Sequence, residues 1–480
     1  MTSMQKPDRK RPNIILIVSD DHGREALGCY GNAVVQTPNL DALANKGVVF
    51  DTAFCTTASC ASSRSVILTG LHNHTNRTFG HTHSPHNFSL AAGITTLPVY
   101  LKQAGYRTGR IGKQHYRPVE QFPFDWDPNE STKSVASYDD ASEHTHDDDE
   151  EFRRLRDDIW KADRCQPFVS ADTEEPFFLY YASYNPHREK LRLDHPLKPD
   201  DFGNPPENFP DDEEVFFDPD TIVVPEYLED TAGTRAEIAE YYQSIHRLDR
   251  GVGRLIHHLE ACGQMDNTVI LYISDNGGAF PVAKTTLYEP GMRLPFILYS
   301  PLHTAAAGTR NKALVNWADI VPTILDFAGA TLPEDPRMLG SSIIPTLNDS
   351  DAYHWREELF AAHSFHQITN YYPMRVIRTQ QYKFIYNIAW QITFPTAADL
   401  WSSASWQSAR RAGTTIGHRE MEHYLNRPKF ELYDLEEDPD ELVNLAALPD
   451  RAELVEHFCA RIRHYQSLTD DPWLHKWEYE

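Results

Sequence analysis

Four oxygen-bearing side chains stand in two pairs, each directly after a largely apolar run. The pairs follow residues 13–19 and 268–274, and their members are Asp20, Asp21, Asp275 and Asn276. Hard divalent cations prefer carboxylate and amide oxygens, and calcium accepts them more readily than magnesium, which demands stricter octahedral geometry. Either pair alone would be typical of turn or cap residues. Two such pairs favour one cation site, with calcium preferred over magnesium.

A cysteine is followed by an arginine four positions later, at Cys60 and Arg64. A lone cysteine is more often a small buried residue than a reactive one. The six cysteines of the chain show neither the spacing of a disulfide framework nor that of a zinc site. Taken alone, the segment leaves a structural and a reactive Cys60 open.

Basic residues follow two further predicted strands. Lys113 and His115 stand just beyond a strand predicted to end at Ile111. Because alternate positions of an extended chain face the same way, the ammonium can bind an anion while the imidazole handles a proton. His187 follows another predicted strand, and Lys284 lies nine residues beyond the second acidic pair. Each of these residues alone would also be typical of a surface or structural position.

Predicted strands and helices alternate along most of the chain, and they must position these residues. This alternation predicts an α/β sandwich with a large, mostly parallel sheet flanked by helices. In such sheets ligands bind at the carboxyl ends of the strands, where the polar pairs stand. The predicted strands are residues 13–19, 48–54, 106–111, 177–184 and 268–274, and the predicted helices are residues 37–44, 97–104 and 236–261.

The pattern changes after about residue 345, where short strand candidates follow one another without helices between them. We therefore predict a catalytic α/β domain over residues 12–345. A smaller C-terminal subdomain, with a short antiparallel sheet and a packing helix, is predicted over residues 346–480. Its predicted strands are residues 374–378, 383–386 and 431–434, and its predicted helix is residues 452–466.

The bulk properties exclude several classes of partner. A net charge of −25 over 480 residues argues against nucleic acid, whose phosphates need basic partners. No run approaches the roughly 20 apolar residues of a membrane span, and the polar first twelve residues are unlike a signal peptide. These features predict a cytoplasmic protein that does not bind a membrane. The acidic run at residues 139–151 is expected to be a solvated face. The sequence leaves the oligomeric state open.

Over essentially its whole length the chain resembles the type I sulfatases of the alkaline-phosphatase-like superfamily. The matching segments, in the family's order, are residues 20–21, 60–64, 105–115, 185–187, 274–277 and 319–324. Within that family the chain is most similar to the heparan N-sulfatases, or sulfamidases. The segments that support this finer resemblance are residues 104–109, 281–288, 372–375 and 471–473.

The resemblance implies a role for each candidate residue. Cys60 would be oxidised to formylglycine by a maturation enzyme, and the aldehyde hydrate would attack sulfur beside the cation. Arg64 and Lys113 would hold the hydrate, while Lys113 and Lys284 would neutralise the sulfuryl oxygens. His187 would protonate the leaving group and His115 would take a proton from the hydrate, or the two histidines would exchange these roles. The sulfamidases carry an arginine where Lys284 stands. Lysine keeps the positive charge but lacks the planar guanidinium group that can donate two parallel hydrogen bonds.

The implied activity is removal of sulfate from a small sulfated saccharide, best matched by the N-sulfate of glucosamine in heparan-type fragments. The negative surface favours short substrates over long polyanions. Three alternatives stay open: an O-sulfatase for sugar or aryl sulfates, a phosphonate or phosphate ester hydrolase, and a non-catalytic binding protein with unmodified Cys60. His366 and Arg375 are candidate substrate-binding residues. A group of histidines is interpreted as structural or exposed: His72, His74, His81, His83 and His86.

Overall fold

Seven strands form the large sheet of the computed structural model, which describes residues 10–128, 156–188, 201–204, 213–348 and 355–479. From edge to edge they are β4 (Arg107–Gly112), β5 (Phe177–Ala182), β1 (Asn13–Ser19), β6 (Thr268–Ser274), β7 (Phe296–Tyr299), β2 (Val48–Phe50) and β8 (Thr309–Asn311). Only the two pairings of β7 are antiparallel; the other four are parallel. The predicted mostly parallel sheet is confirmed.

Both faces of this sheet are buried, which explains the apolar runs. Along β1, Ile14 packs into a cluster on one face and Ile15 into a cluster on the other. The second cluster is covered by the helices α1 (Pro38–Lys46), α5 (Asp158–Val169) and α6 (Ala232–Ala261). Strands covered on both sides need apolar residues at every position rather than at alternate ones.

The first face packs against helix α2 (Cys60–Thr69) and against a second, antiparallel sheet. This sheet has the order β10 (Glu358–Phe365), β11 (Tyr371–Thr379), β12 (Tyr382–Asn387) and β15 (Phe430–Asp434). Helix α12 (Ala452–Leu468) covers its outer face. The predicted C-terminal antiparallel sheet is confirmed; the boundary at residue 345 stays a prediction.

The remaining elements are short connections. The strands are β3 (Ala53–Phe54), β9 (Val315–Asn316), β13 (Thr415–Ile416) and β14 (Arg419–Glu420); the helices are α3 (Asn73–Asn76), α4 (Leu97–Gln103), α7 (Glu289–Met292), α8 (Ile320–Phe327), α9 (Ala398–Trp401), α10 (Ala404–Ala412), α11 (Met421–Leu425) and α13 (Lys476–Tyr479).

The sequence prediction did not include β7, β8 and α5, and three further details of the structure differ from it. The strand predicted over residues 48–54 is divided, because β2 pairs in the large sheet whereas β3 pairs with β9. Thr37 stands at the N-cap position of α1, but its hydroxyl accepts from the Gly28 N–H and donates to Asp41 instead of capping the helix. Strand β10 was not predicted, because its paired alanines weaken the β-strand pattern.

Two features of the sequence lie wholly or partly outside the residues that the structure describes. The acidic run at residues 139–151 lies outside the described residues, as does much of the Pro- and Asp-rich stretch near residues 190–230. Among the described residues, no helix combines the length and the apolar character that crossing a bilayer requires.

Strand β4 ends in a turn that only glycine fits. Gly112 has a φ of +86°, and a Cβ atom there would lie 1.8 Å from the carbonyl oxygen of Ala182. The same oxygen accepts the backbone N–H of Lys113 at 2.8 Å. The turn therefore sets where the Lys113 side chain leaves the sheet.

We expect Gly112→Ala to lower the free energy of unfolding by about 3 kcal/mol, the sum of left-handed strain and a steric clash. Gly263→Ala is the matched control, because Gly263 has a φ of +68° with open space around it; strain alone then costs about 1–2 kcal/mol. Urea denaturation of both variants measures the difference. Equal losses would show that the contact with Ala182 is unimportant.

Candidate active site

The neighbouring parallel strands β1 and β6 bring the two polar pairs together. Their register sets the last residues of the two strands opposite each other, so Asp20 and Asp275 leave the sheet side by side. Asp275 Oδ1 accepts the backbone N–H of Asp21 at 3.1 Å. The amide of Asn276 donates to Asp21 Oδ1 at 2.6 Å. The structure thus joins all four predicted ligands in one buried cluster.

Helix α2 presents Cys60 and Arg64 to this cluster. All ten residues of the helix are buried, and its first residue is Cys60. Residues four apart lie on the same helix face, so the thiol and the guanidinium point the same way. Cys60 Sγ lies 3.7 Å from Asp21 Oδ1, and Arg64 Nε donates to Asp275 Oδ2 at 2.8 Å. The segment that sequence analysis left ambiguous is therefore part of the acidic site.

Each carboxylate of the cluster faces a basic side chain, but the pKa values of the carboxyl groups are shifted in different directions. Lys113 Nζ donates to Asp20 Oδ2 at 2.5 Å. Although burial opposes ionisation of Asp20, Lys113, His187 and Arg64 together hold its pKa well below the usual value. Burial, followed by repulsion from Asp20, raises the pKa of Asp275 to about 8 despite Arg64. Ionising all three carboxylates therefore calls for additional positive charge.

The donor set fits a hard cation. The Oδ1 atoms of Asp20 and Asn276 are buried and have no hydrogen-bond partner in the part of the chain that the structure describes, and unpaired buried acceptors are costly. One ligand atom from each of four residues lies within 4.8 Å of the others, namely Asp20, Asp21, Cys60 and Asp275. Carboxylate and amide oxygens suit calcium or magnesium better than softer ions.

Lys284 and His187 border the same cluster. Lys284 Nζ is buried between Asp21 Oδ2, at 2.7 Å, and Asp399 Oδ2, at 2.5 Å. Burial opposes its charge, but the two carboxylates override burial and raise the pKa of Lys284. His187 Nε2 lies 3.3 Å from Lys284 Nζ and 3.7 Å from Asp21 Oδ2. Burial, then Lys284, lowers the pKa of His187.

Sequence analysis missed Asp399, which the C-terminal part of the chain contributes from helix α9. Its side chain is half-buried and pairs with Lys284, which lies in the loop after β6. A single aspartate in a short alanine-rich stretch has no spacing that would mark it. Only the three-dimensional contact with Lys284 identifies it as a site residue.

His115 joins a chain of hydrogen-bonded imidazoles. Its Nε2 lies 2.9 Å from His81 Nδ1, and His81 Nε2 lies 3.0 Å from His366 Nε2. His366 Nδ1 lies 3.0 Å from the hydroxyl of Ser59, the residue before Cys60. His366 is therefore brought near the site as predicted, although its substrate contact stays a prediction. The density of histidines after Cys60 was the sequence signal for His81.

Arg375, predicted to bind substrate, has other partners in the structure. Its guanidinium is fully buried and donates to both carboxylate oxygens of Asp471, at 2.5 and 2.8 Å. Two further donors go to the carbonyls of His363 and Met374. Four of its five N–H groups are thus used within the fold, which identifies a structural ion pair.

Comparison with known proteins agrees with this geometry. The sulfatase family matches residues 12–330, and the family of C-terminal regions of N-sulphoglucosamine sulphohydrolase matches residues 280–395. The human N-sulphoglucosamine sulphohydrolase is 33% identical, over 97% of this chain and 92% of that protein. An N-acetylglucosamine-6-O-sulfatase of Bacteroides thetaiotaomicron is 29% identical, over 80% of this chain and 79% of that protein.

Solved structures share the fold across the whole chain. A protein in complex with its substrate D-glucosamine-2-N,6-O-disulfate has a TM-score of 0.65 at 22% identity, covering 98% of this chain and all of that chain. The phosphonate monoester hydrolase of Agrobacterium radiobacter has a TM-score of 0.64 at 19% identity, covering 96% of each chain.

The two packed sheets, with the carboxylate cluster at the ends of β1 and β6, form a fold of the alkaline-phosphatase-like class. Within that class, the matching family and the relatives of similar length decide the assignment. This chain belongs to the sulfatase family.

We expect calcium to stabilise the protein, because a cation relieves repulsion among the buried carboxylates. At about 100 times its dissociation constant, a ligand that binds only the folded state adds about 2.7 kcal/mol. A thermal shift on adding calcium after chelation measures this effect. Asp275→Asn should abolish the shift, whereas Asp335→Asn, at a distant arginine pair, should not. A calcium- and magnesium-insensitive Tm would contradict the site.

A second test separates a structural Arg375 from a substrate-binding one. Arg375→Met should cost about 3–5 kcal/mol, because Asp471 is left as an uncompensated buried charge. Burial opposes ionisation of Asp471, but Arg375 overrides it and lowers the pKa. A lowered folded-state pKa stabilises above the unfolded value, about 4, and the stabilisation is lost as the pH falls further.

The stability gap between wild type and Arg375→Met should therefore narrow below about pH 4. Denaturation curves across pH measure it, and the double variant with Asp471→Asn should recover part of the loss. A variant of unchanged stability with a strongly raised KM would instead show that Arg375 contacts the substrate.

Proposed function

We propose that this sulfatase removes the N-sulfate of glucosamine in short heparan-type saccharides, using a formylglycine made from Cys60 by a separate maturation enzyme. The observation that carries the proposal is the unbroken similarity to the human N-sulphoglucosamine sulphohydrolase over 97% of the chain. The similarity includes the C-terminal part, which supplies Asp399 and His366 beside the acidic cluster.

The state of the Cys60 thiol supports its conversion. Burial raises the pKa of this thiol well above its usual value, although Lys113 opposes the effect. A neutral buried thiol is a poor nucleophile. A formylglycine at position 60 would supply a hydrated aldehyde. One of its hydroxyl oxygens would attack sulfur as the S–N bond breaks and the amine leaves. The second hydroxyl would then lose its proton as the C–O bond to sulfate breaks, which releases sulfate and restores the aldehyde. The first residue of α2 is the right place for it, because the acidic cluster lies against this residue.

The surrounding residues hold charge and move protons. A cation held by Asp20, Asp21, Asp275 and Asn276 would supply Lewis-acid stabilisation of negative charge. Lys113 and Arg64 orient the hydroxyl groups at residue 60, and Lys284 takes an oxygen of the sulfuryl group. His187 would give a proton to the leaving nitrogen, because the bound sulfuryl anion offsets the effect of burial and Lys284, which lower the pKa of His187 in the free protein. His115 would take a proton from the second hydroxyl group. Preorganised charges of this kind typically contribute about 3–4 kcal/mol each.

The distribution of charge favours small substrates. The chain has a net charge of −25, so its field repels a long sulfated polymer. A mono- or disaccharide carries fewer negative charges, so the protein repels it less strongly. The cytoplasmic location and the preference for calcium over magnesium stay predictions that accompany this proposal.

An O-sulfatase is the second candidate. It is favoured by the 29% identity to an N-acetylglucosamine-6-O-sulfatase, and by a lysine where an arginine is expected in the sulfamidases. Lysine holds an oxygen as a point charge and lacks the planar fork of arginine.

Turnover of matched sugars separates the two candidates. We expect N-sulfoglucosamine to have the highest kcat/KM, with 6-O-sulfated glucosamine and an aryl sulfate at least tenfold lower. The protein must come from a host with the maturation enzyme, and mass spectrometry of the peptide that contains residue 60 must show loss of sulfur in favour of oxygen. Cys60→Ala should abolish turnover, whereas Cys55→Ala, another buried cysteine, should retain it. A preference for the 6-O-sulfate would favour the second candidate.

The division of roles between the histidines has its own test. Without His187 the leaving group departs unprotonated, so His187→Ala should lose about 10²–10⁴-fold on the sulfamate. It should lose far less on an aryl sulfate with an acidic phenol, which needs no proton. His115→Ala should lose activity on both substrates. The reversed pattern would exchange the two roles.

A further inference from the structure

Five imidazoles converge beside the acidic cluster on the side of His115. They belong to His81, His83, His86, His115 and His366. The ring centroid of His81 lies 4.9 Å from that of His83 and 4.8 Å from that of His115. One ring nitrogen from each of these three residues lies within 4.8 Å of the other two.

We propose that His81, His83 and His115 form a second metal site, for a borderline transition-metal ion such as Zn²⁺, whose occupation inhibits the enzyme. Three imidazole nitrogens are a typical zinc donor set, whereas calcium and magnesium take oxygen ligands. The chain would therefore carry two adjacent metal sites, one with oxygen ligands for a hard cation and one with imidazole ligands for a transition-metal ion. The inhibitory consequence rests on the role proposed for His115.

The hydrogen bonds of His81 prepare it as a ligand. When His366 donates its Nδ1–H to Ser59, its Nε2 accepts the Nε2–H of His81. The Nδ1 of His81 is then unprotonated and faces His115. Ligating histidines typically have their second nitrogen fixed in this way by an outer hydrogen bond, which sets the tautomer and the ring orientation.

His115 can accept the metal without changing its charge. Its Nδ1 is buried and has no hydrogen-bond partner among the described residues, while its Nε2 lies 2.9 Å from His81 Nδ1. A metal at Nε2 displaces the proton from that nitrogen, and Nδ1 takes up a proton. Two nitrogens bound tetrahedrally at about 2.0–2.1 Å lie roughly 3.3 Å apart, so the rings need to separate only slightly.

Metal binding at these histidines competes with protons, because only a neutral imidazole offers a lone pair to a metal. Lys113 opposes a second cation, but its charge is paired with Asp20 at 2.5 Å. Once coordinated, His115 has no lone pair left to act as a base.

The test is a zinc titration of the calcium-saturated protein by calorimetry, followed by X-ray absorption of the bound zinc. We expect one site per chain with a shell of three imidazoles. His83→Ala should bind zinc at least tenfold more weakly while keeping its turnover in the absence of zinc. His423→Ala removes an exposed histidine and is the matched control. If His83→Ala fails to fold, His83→Gln replaces it.

Activity provides the second readout, on whichever sulfated substrate the wild type cleaves. We expect zinc to inhibit wild type and His423→Ala at the concentration that fills the site, and His83→Ala only at tenfold higher concentration or above. An oxygen-only shell, equal affinities for all variants, or full activity with zinc bound would overturn the inference. Zinc binding to three imidazoles in a protein that cleaves no sulfate would support the site and reject the proposed function instead.

Discussion

The mutual repulsion of three buried carboxylates is the constraint on which the site depends. Asp20, Asp21 and Asp275 reach one small volume because β1 and β6 are parallel neighbours in register. Without partners, such a group would protonate or unfold the strand ends. The cations that oppose it come from three separate segments, through Arg64, Lys113 and Lys284. The fold around the site therefore holds oppositely charged side chains in contact and shields them from water.

The sequence predicted the elements whose pattern is local. The strands β1 and β6 were predicted with their observed limits, because a strand buried on both faces is apolar throughout. The acidic pairs follow these strands directly, so their meeting was implied by sheet topology alone. The division of residues 48–54 and the existence of β10 were not predicted, because pairing partners decide both and local composition does not.

Partners that are distant in sequence also explain why some site residues were predicted and others were not. Sequence analysis offered both His366 and Arg375 as candidate substrate-binding residues, yet the structure surrounds them differently. His366 bonds to the residue before Cys60 and to His81, whereas Arg375 is taken by Asp471 from the far end of the chain. Nothing in the sequence around Asp399 identified it as a site residue. A basic or acidic side chain is assigned a role by its partner, and a partner distant in sequence is visible only in the folded molecule.

The pairing of Lys284 with Asp399 joins the loop after β6 to helix α9 beside the acidic cluster. Exchanging the C-terminal segment for one without a carboxylate at position 399 would leave the buried Lys284 ammonium with Asp21 as its remaining carboxylate partner. Chimeric enzymes built from this chain should therefore inherit both residues as a unit. The same link means that a substitution around Asp399 in the C-terminal part also changes the electrostatic surroundings of Lys284 and of the acidic cluster, so these two parts of the chain are expected to evolve together.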